Sequence, residues 1–257
     1  VQVIGHAGSG FVTPLLPFNP LPSNSWGSIE QALDAGADGV EVDVQLSADS
    51  VLMLYHDRSL ITHTARTGCL SRWPADTLVR TAYQAGWPYD WFQHECLLRF
   101  DTLLVRLSRR PVLPHLHLDL HEDDECQPQA TAGHSAAVLR AVQRALRVAA
   151  VPAGQVQLTS MRPATLRLAG QLLPALPRAL EVTDPDTLAQ TLAAPARQTY
   201  QILVLNRALG TPANVQRAHA VGLEVVVFGD RSASAIRQEL AASPDAIETD
   251  NVPVLRR

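Results

Sequence analysis

The stretch Pro111 to His121, reading PVLPHLHLDLH, alternates without interruption over its second half. Residues two apart share one face of a strand, so Leu116, Leu118 and Leu120 point one way and His115, His117, Asp119 and His121 the other. Imidazoles and a carboxylate are costly to bury in an ordinary core. A closed barrel resolves the conflict: leucines pack outward against helices and polar groups point inward, toward the mouth. On that reading His115 and His117 are hydrogen-bonded core histidines. Asp119 and His121 lie nearest the C-terminal end of the strand, where barrel sites form.

The rest of the chain supplies the other strands. Buried-strand signals fall at 1–5, 39–45, 112–120, 155–159, 178–182, 201–205, 223–228 and 246–249. Helical patterns separate them: one capped by Ser25 or Ser28 and running to about Ala35, one at Leu97–Arg109, then Ser135–Ala150, Ser160–Leu173, Pro185–Ala193, Pro212–Val221 and Ser232–Ala241. Eight such units predict an α/β fold, a (β/α)₈ TIM barrel forming a single domain over residues 1–257. An open doubly wound sheet fits less well, because Gly8-Ser9-Gly10 is not followed by a helix. Two elaborations are expected: a β-hairpin extension on strand two and an insertion at about 57–110. Residues 57–95 of that insertion lack a sustained period and are rich in Trp, Tyr, Pro and Gly, which suits a functional loop or lid.

The hairpin joins Gly36–Leu46 to Val51–Asp57 through the polar turn Ser47-Ala48-Asp49-Ser50. A turn centred on Asp49 and Ser50 sets Asp43 opposite His56, and sends Glu41, Asp43 and His56 to one side. His6 ends strand one just before a glycine-containing loop that lets a backbone approach a ligand. The strand-end rule therefore gathers His6, Glu41, Asp43, His56, Asp119 and His121 at one mouth. Carboxylates without a cysteine or compact histidine cluster favour a hard cation, Mg²⁺ or Ca²⁺, over zinc. Two histidines beside it suit a general base and a general acid.

Composition narrows the chemistry further. No run approaches the ~18 to 20 apolar residues of a membrane span. A net charge of −4 and a pI near 6.1 argue against nucleic acid as a partner. All 21 basic residues are arginine, which excludes Schiff-base lysine chemistry. Cys69, Cys96 and Cys126 match no zinc spacing and allow at most one disulfide. A lysine-free, arginine-rich chain points to a GC-rich bacterial coding sequence. A start at Val1 without methionine suits a periplasmic or secreted protein after processing, and a trimmed chain equally.

These residues resemble the glycerophosphodiester phosphodiesterases, metal-dependent barrel enzymes related to phosphatidylinositol-specific phospholipases. His6-Ala7-Gly8 stands in the place of the family's His-Arg-Gly, and Gly36 to Val44 followed by His56-Asp57 is similar to its long signature. Leu118-Asp119-Leu120-His121 stands where the family has Glu-x-Lys, Thr159-Ser160-Met161 resembles a Ser-Phe turn, and Ile247 to Pro253 resembles the closing Thr-Asp-x-Pro. The resemblance implies His6 and His56 as the acid–base pair, Glu41, Asp43 and Asp119 as metal ligands, and His121 and Phe228 as substrate contacts. It implies hydrolysis of a small-molecule glycerophosphodiester, or a related phosphodiester, to an alcohol and a phosphomonoester. The departures are Ala7 for arginine, Asp119 for glutamate, His121 for lysine and Phe228-Gly229-Asp230 for Trp-Thr. They leave one alternative, a lapsed barrel that binds metal and phosphodiester without turnover. A metal-dependent sugar isomerase or lyase would fit the ligands but not the hairpin signature.

Overall fold

The computed structural model of the chain describes residues 1–14, 18–126 and 131–255. Ten strands follow in chain order: β1 (Gln2–Gly5), β2 (Gly39–Leu46), β3 (Leu52–Leu54), β4 (Leu98–Arg99), β5 (His115–Leu120), β6 (Val156–Ser160), β7 (Arg178–Val182), β8 (Ile202–Asn206), β9 (Glu224–Asp230) and β10 (Ala246–Thr249). Eight of them pair in parallel in the ring order β1-β10-β9-β8-β7-β6-β5-β2. Pairing of Ile4 with Gly39 and Gly5 with Val40 closes the ring. Each predicted strand of the barrel is present, so the barrel expectation holds. Its helices are α1 (Trp26–Asp34), α3 (Phe100–Leu107), α4 (Ala132–Val148), α5 (Pro163–Leu172), α6 (Pro185–Ala193), α7 (Pro212–Ala220), α8 (Ala233–Ala241) and α9 (Val252–Leu255), with α2 (Ala75–Leu78) in the insertion.

The alternation that predicted the barrel decides its packing. Val40, Val42 and Val44 of β2 and Leu116, Leu118 and Leu120 of β5 point outward and are fully or nearly buried against Ile29, Leu103, Leu104, Val138 and Val142 of the helices. Each such aliphatic side chain contributes roughly 1.5–3 kcal/mol on burial. On the inside, Ile4, Ala179, Ile202, Val204, Val226 and Ala246 plug the barrel with an apolar layer. Strands β2 and β5 approach so closely that a Cβ on Gly39 would lie 2.3 Å from the His115 carbonyl oxygen. Only glycine fits there.

Local capping chemistry corrects several boundaries. Ser25 caps α1, its hydroxyl accepting from the Ser28 backbone N–H. Thr131 caps α4, which therefore starts at Ala132 rather than Ser135. Ser160 belongs to β6, and α5 begins at Pro163, whose fixed φ suits a first helical position. Leu98 and Arg99 form a strand on β3, so only Phe100–Leu107 of the predicted 97–109 helix is helical.

The hairpin register also differs from expectation by one residue. Val44 pairs with Leu54, Gln45 with Met53 and Leu46 with Leu52. Ser50 adopts a left-handed φ of 61°, and Ser47 and Val51 close a three-residue loop through the Ser47 hydroxyl. Asp43 therefore faces Tyr55, whose N–H donates to the Asp43 carbonyl. The insertion at 57–110 is not a loose lid. Met53, Tyr55, Leu60, Leu70, Leu78, Tyr83 and Leu97 form an apolar cluster of their own, and a disulfide from Cys69 to Cys126 ties it to the segment after β5.

Candidate active site

At the C-terminal ends of the strands, His6, Glu41, Asp43, His56, Asp119 and Phe228 all line one pocket of about 80 Å³. Each arrives from a different place in the sequence. His6 follows β1 directly, and its N–H donates to the Thr249 carbonyl. Glu41 and Asp43 share the inner face of β2, and Asp119 sits beside Asp43 in the β2–β5 register. Phe228 comes from β9, its ring 6.1 Å from that of His6.

His56 lies beyond β3 and reaches the pocket by a different device. The Gln45 side chain donates to three successive carbonyls, those of Tyr55 at 2.8 Å, His56 at 3.2 Å and Asp57 at 2.9 Å. The chain leaving the hairpin is thus wrapped around one amide. His56 Nδ1 bonds Asp57 Oδ1 at 2.7 Å, and His63 Nε2 lies 3.2 Å from the other Asp57 oxygen. These two bonds hold the Asp57 carboxyl well below the usual range, and the Asp57 partner raises His56 against its partial burial.

His6 has a matching carboxylate. Its Nδ1 bonds Asp250 Oδ1 at 2.8 Å, and Arg231 donates to the other Asp250 oxygen at 2.9 Å. Burial opposes charge on the ring, but Asp250, Glu41 and Glu248 outweigh it and push His6 up to about 10. The Phe11 ring packs edge to face against both histidines, 5.6 Å from His6 and 6.1 Å from His56. Both imidazoles are thus oriented through Nδ1 by an aspartate, and both contact the same aromatic ring.

The acidic side of the pocket is held just as firmly. Ala7 N–H donates to Glu41 Oε2 at 2.7 Å, which is why Ala7 accepts a left-handed φ of 44°. Asn24, fully buried, donates to Asp43 Oδ2 at 2.6 Å and accepts the Asp43 N–H at 3.0 Å. His121 Nε2 lies 2.9 Å from Asp43 Oδ1 and 3.3 Å from Asp119 Oδ2. Burial works against the Asp43 charge, but His121, His56 and Asn24 keep its carboxyl below the usual range. Burial likewise opposes charge on His121, and the two aspartates raise it well above an ordinary imidazole.

Glu41 is pushed well up by burial and by the Asp43 charge, and its Oε1 is buried with no hydrogen-bond partner. Five carboxylates, those of Glu41, Asp43, Asp119, Glu181 and Glu248, face this one small pocket. Burial, with Asp119 and Glu248 nearby, raises Glu181 to about 8. An orphaned oxygen among crowded carboxylates is the arrangement a divalent cation satisfies, so the residues fit such an ion. Among the described residues, Asp43, His56 and His121 form a candidate donor group here, with one atom of each within 4.8 Å of the others. Cys69 and Cys126 also lie near Asp124, but they are joined to each other.

Of the other histidines in the alternating strand, His117 is a buried, hydrogen-bonded residue as expected, its Nδ1 2.7 Å from Glu248 Oε1. His115 lies at the opposite end of the barrel beside Gln2. Sequence reasoning missed Glu181 and Glu248, although both interrupt apolar strands at inward positions. It missed Asn24, Phe11 and the role of Asp250, which depend on loops or on contacts across the whole chain.

Comparison with known proteins agrees with this geometry. The profile of the Glycerophosphoryl diester phosphodiesterase family matches residues 15–254. A Bacillus altitudinis glycerophosphodiester phosphodiesterase is 39% identical over 59 residues, 23% of this chain and 24% of that protein, so the match spans about a quarter of the relative. An Oleispira antarctica phosphodiesterase, solved with the product sn-glycerol-3-phosphate, superposes with a TM-score of 0.81 at 22% identity, covering 100% of this chain and 95% of that one. A glycerophosphodiester phosphodiesterase from Agrobacterium tumefaciens gives 0.76 at 21% identity, covering 99% and 98%. With the family matched over nearly the whole chain and the barrel shared, the chain belongs to the glycerophosphoryl diester phosphodiesterase family of phosphoric diester hydrolases.

Proposed function

We propose that the chain hydrolyses glycerophosphodiesters, or closely related small phosphodiesters, to an alcohol and a phosphomonoester. The observation that carries this reading is the pair of opposed imidazoles, His6 on Asp250 and His56 on Asp57, flanking a pocket of carboxylates. Glu41, Asp43 and Asp119 are the residues assigned to hold a divalent cation. When bound, that ion neutralises charge on the phosphate.

The protein's own groups do the rest. Each imidazole is fixed through Nδ1, which leaves Nε2 as the atom that takes or gives a proton. One histidine removes the proton of the nucleophile and the other protonates the departing alkoxide. Phe11 and Phe228 place apolar ring surface against His6, which lowers the local polarity on that side. His121 and Phe228 are assigned to contact the substrate. An adjoining cavity of about 210 Å³ shares His56, Asp119 and Glu181 and is lined by Met161 and Arg162, giving room for the second substituent of the diester.

The disulfide supports the periplasmic or secreted location as part of the same reading, since such bonds persist in oxidising compartments. The test is hydrolysis of glycerophosphocholine and of a chromogenic bis-aryl phosphate, with and without chelator, in the unsubstituted chain, His6→Ala and His56→Ala. Turnover should vanish on chelation and fall about 10²-fold or more in each variant. Full activity in both variants would overturn the acid–base assignment.

A further inference from the structure

Aromatic side chains are enriched in one exposed place outside the pocket. Trp87, Trp91, Phe92 and Phe18 are 76%, 72%, 59% and 46% exposed. With Tyr89 they make two adjoining groups built around one segment: Trp87 and Trp91 meet edge to face at 6.0 Å, while Phe18 meets Phe92 at 5.5 Å and stacks on Tyr89 at 6.2 Å. At ~200 Å² per ring, about 500 Å² of aromatic surface is left in water. A patch of that size falls in the range of the largest apolar patch on a monomer, which is often a functional one.

The patch is built rather than frayed. The Asp90 carboxylate accepts from the backbone N–H of Ala85 at 2.8 Å and of Gly86 at 3.1 Å, and from the Gln93 amide at 2.9 Å. Those three bonds hold the loop that displays the two tryptophans. The patch is also joined to the active site. Asn19, next to Phe18, donates to the carbonyls of Ser9, Gly10 and Phe11, and Thr13 pairs with Asn19 in an antiparallel bridge. One loop thus places Phe11 against the two site histidines and Phe18 in the patch.

We propose that this patch docks the enzyme on a zwitterionic lipid surface, with the mouth of the site turned toward lipid-borne phosphodiesters. The chemistry of the rings selects the partner. Indole and phenol groups carry an apolar body and a polar tip, and settle at the depth of lipid headgroups. Segment 84–95 holds Asp90, Glu95 and His94 and no arginine or lysine, so the segment that displays the tryptophans carries none of the permanent cations that would select anionic lipid or nucleic acid. Two exposed tryptophans, in the segment whose Tyr89 and Phe92 pack on Phe18 next to the site loop, anchor the protein without a membrane-spanning helix, and among the described residues no helix is long and apolar enough to be one. Only the orientation toward lipid-borne substrate rests on the proposed phosphodiesterase activity; the docking itself does not.

The experiment is sedimentation with phosphatidylcholine vesicles, read together with tryptophan emission, for the unsubstituted chain and for Trp87→Ala/Trp91→Ala. In parallel, turnover is measured on soluble glycerophosphocholine and on lysophosphatidylcholine held in the same vesicles. The unsubstituted chain should sediment with the vesicles and its emission should shift to the blue. The double variant should bind at least about tenfold more weakly, hydrolyse the soluble diester at the unchanged rate, and lose about tenfold on the vesicle-borne one. A chain that stays in the supernatant, that binds equally well without the tryptophans, or that binds only anionic vesicles overturns the proposal. So does a concentration-dependent dimer abolished by the double variant, which would make the patch a protein interface. Absence of hydrolysis on both substrates would refute the phosphodiesterase reading while leaving the sedimentation result to decide the docking.

Discussion

Replacing Asn24 by alanine should be among the most damaging single changes available to this protein. Asn24 is fully buried with a left-handed φ of 63°, and its amide makes two bonds to Asp43, one to the carboxylate at 2.6 Å and one from the backbone N–H at 3.0 Å. Losing a hydrogen bond to a buried charge costs about 1.5–3 kcal/mol, and losing the backbone bond about 1 kcal/mol. Alanine in the left-handed region adds about 1–2 kcal/mol. The expected loss is about 3.5–6 kcal/mol, or roughly 7–24 °C in Tm for a domain of this size. Asn24→Gly keeps the backbone conformation and should recover about 1 kcal/mol of that loss. Denaturant unfolding of the three proteins in one buffer measures both differences. An alanine variant within 0.5 kcal/mol of the parent, or a glycine variant no better than alanine, would refute the argument that Asn24 is the clamp on Asp43.

Three other expectations follow from the same geometry. Cys69→Ser/Cys126→Ser releases a crosslink between residues 57 apart, which the chain-entropy estimate values at about 4 kcal/mol; unfolding under oxidising conditions should show a loss near that size, and none after reduction of both proteins. His6 is raised above its unfolded value near 6.5, so its bond to Asp250 contributes fully below that pH and fades as pH climbs through about 10. The stability gap between the parent and Asp250→Asn should be widest near pH 6 and close above pH 10, as read by denaturant titration at each pH. Adding Mg²⁺ or Ca²⁺ should raise Tm by mass action, and Glu41→Gln, which replaces the orphaned carboxylate oxygen, should flatten that rise in calorimetry.

The barrel was legible because its strands carry period-two alternation and its helices carry caps and a period near 3.6. The Leu116–Leu120 face packs outward and the His117–Asp119 face points in, as the pattern requires. His6, Glu41, Asp43 and Asp119 were legible because strand ends gather at one mouth, His56 because the hairpin turns back there, and Phe228 only through the family resemblance. Other features were not. The hairpin register turns on Ser50 adopting a positive φ, a choice that four polar turn residues leave open. The insertion has no period to read because its order comes from a small cluster around Tyr55 and a disulfide, not from a repeating face. Asn24 and Asp250 act through partners 19 and 244 residues away, and no local pattern encodes such a contact.

The separation between His6 and Asp250 has a further meaning. Those residues follow the first and last strands of the ring, β1 and β10, which meet only when the barrel is complete. A chain that has built seven strands and left the eighth undocked holds its carboxylates on β2 and β5 and lacks an oriented His6. On the role proposed for His6, turnover regained during refolding counts closed rings, whereas ellipticity counts helices and strands wherever they have formed. The chain carries its own report of topological completion, written in one hydrogen bond between residues that follow its first and last strands.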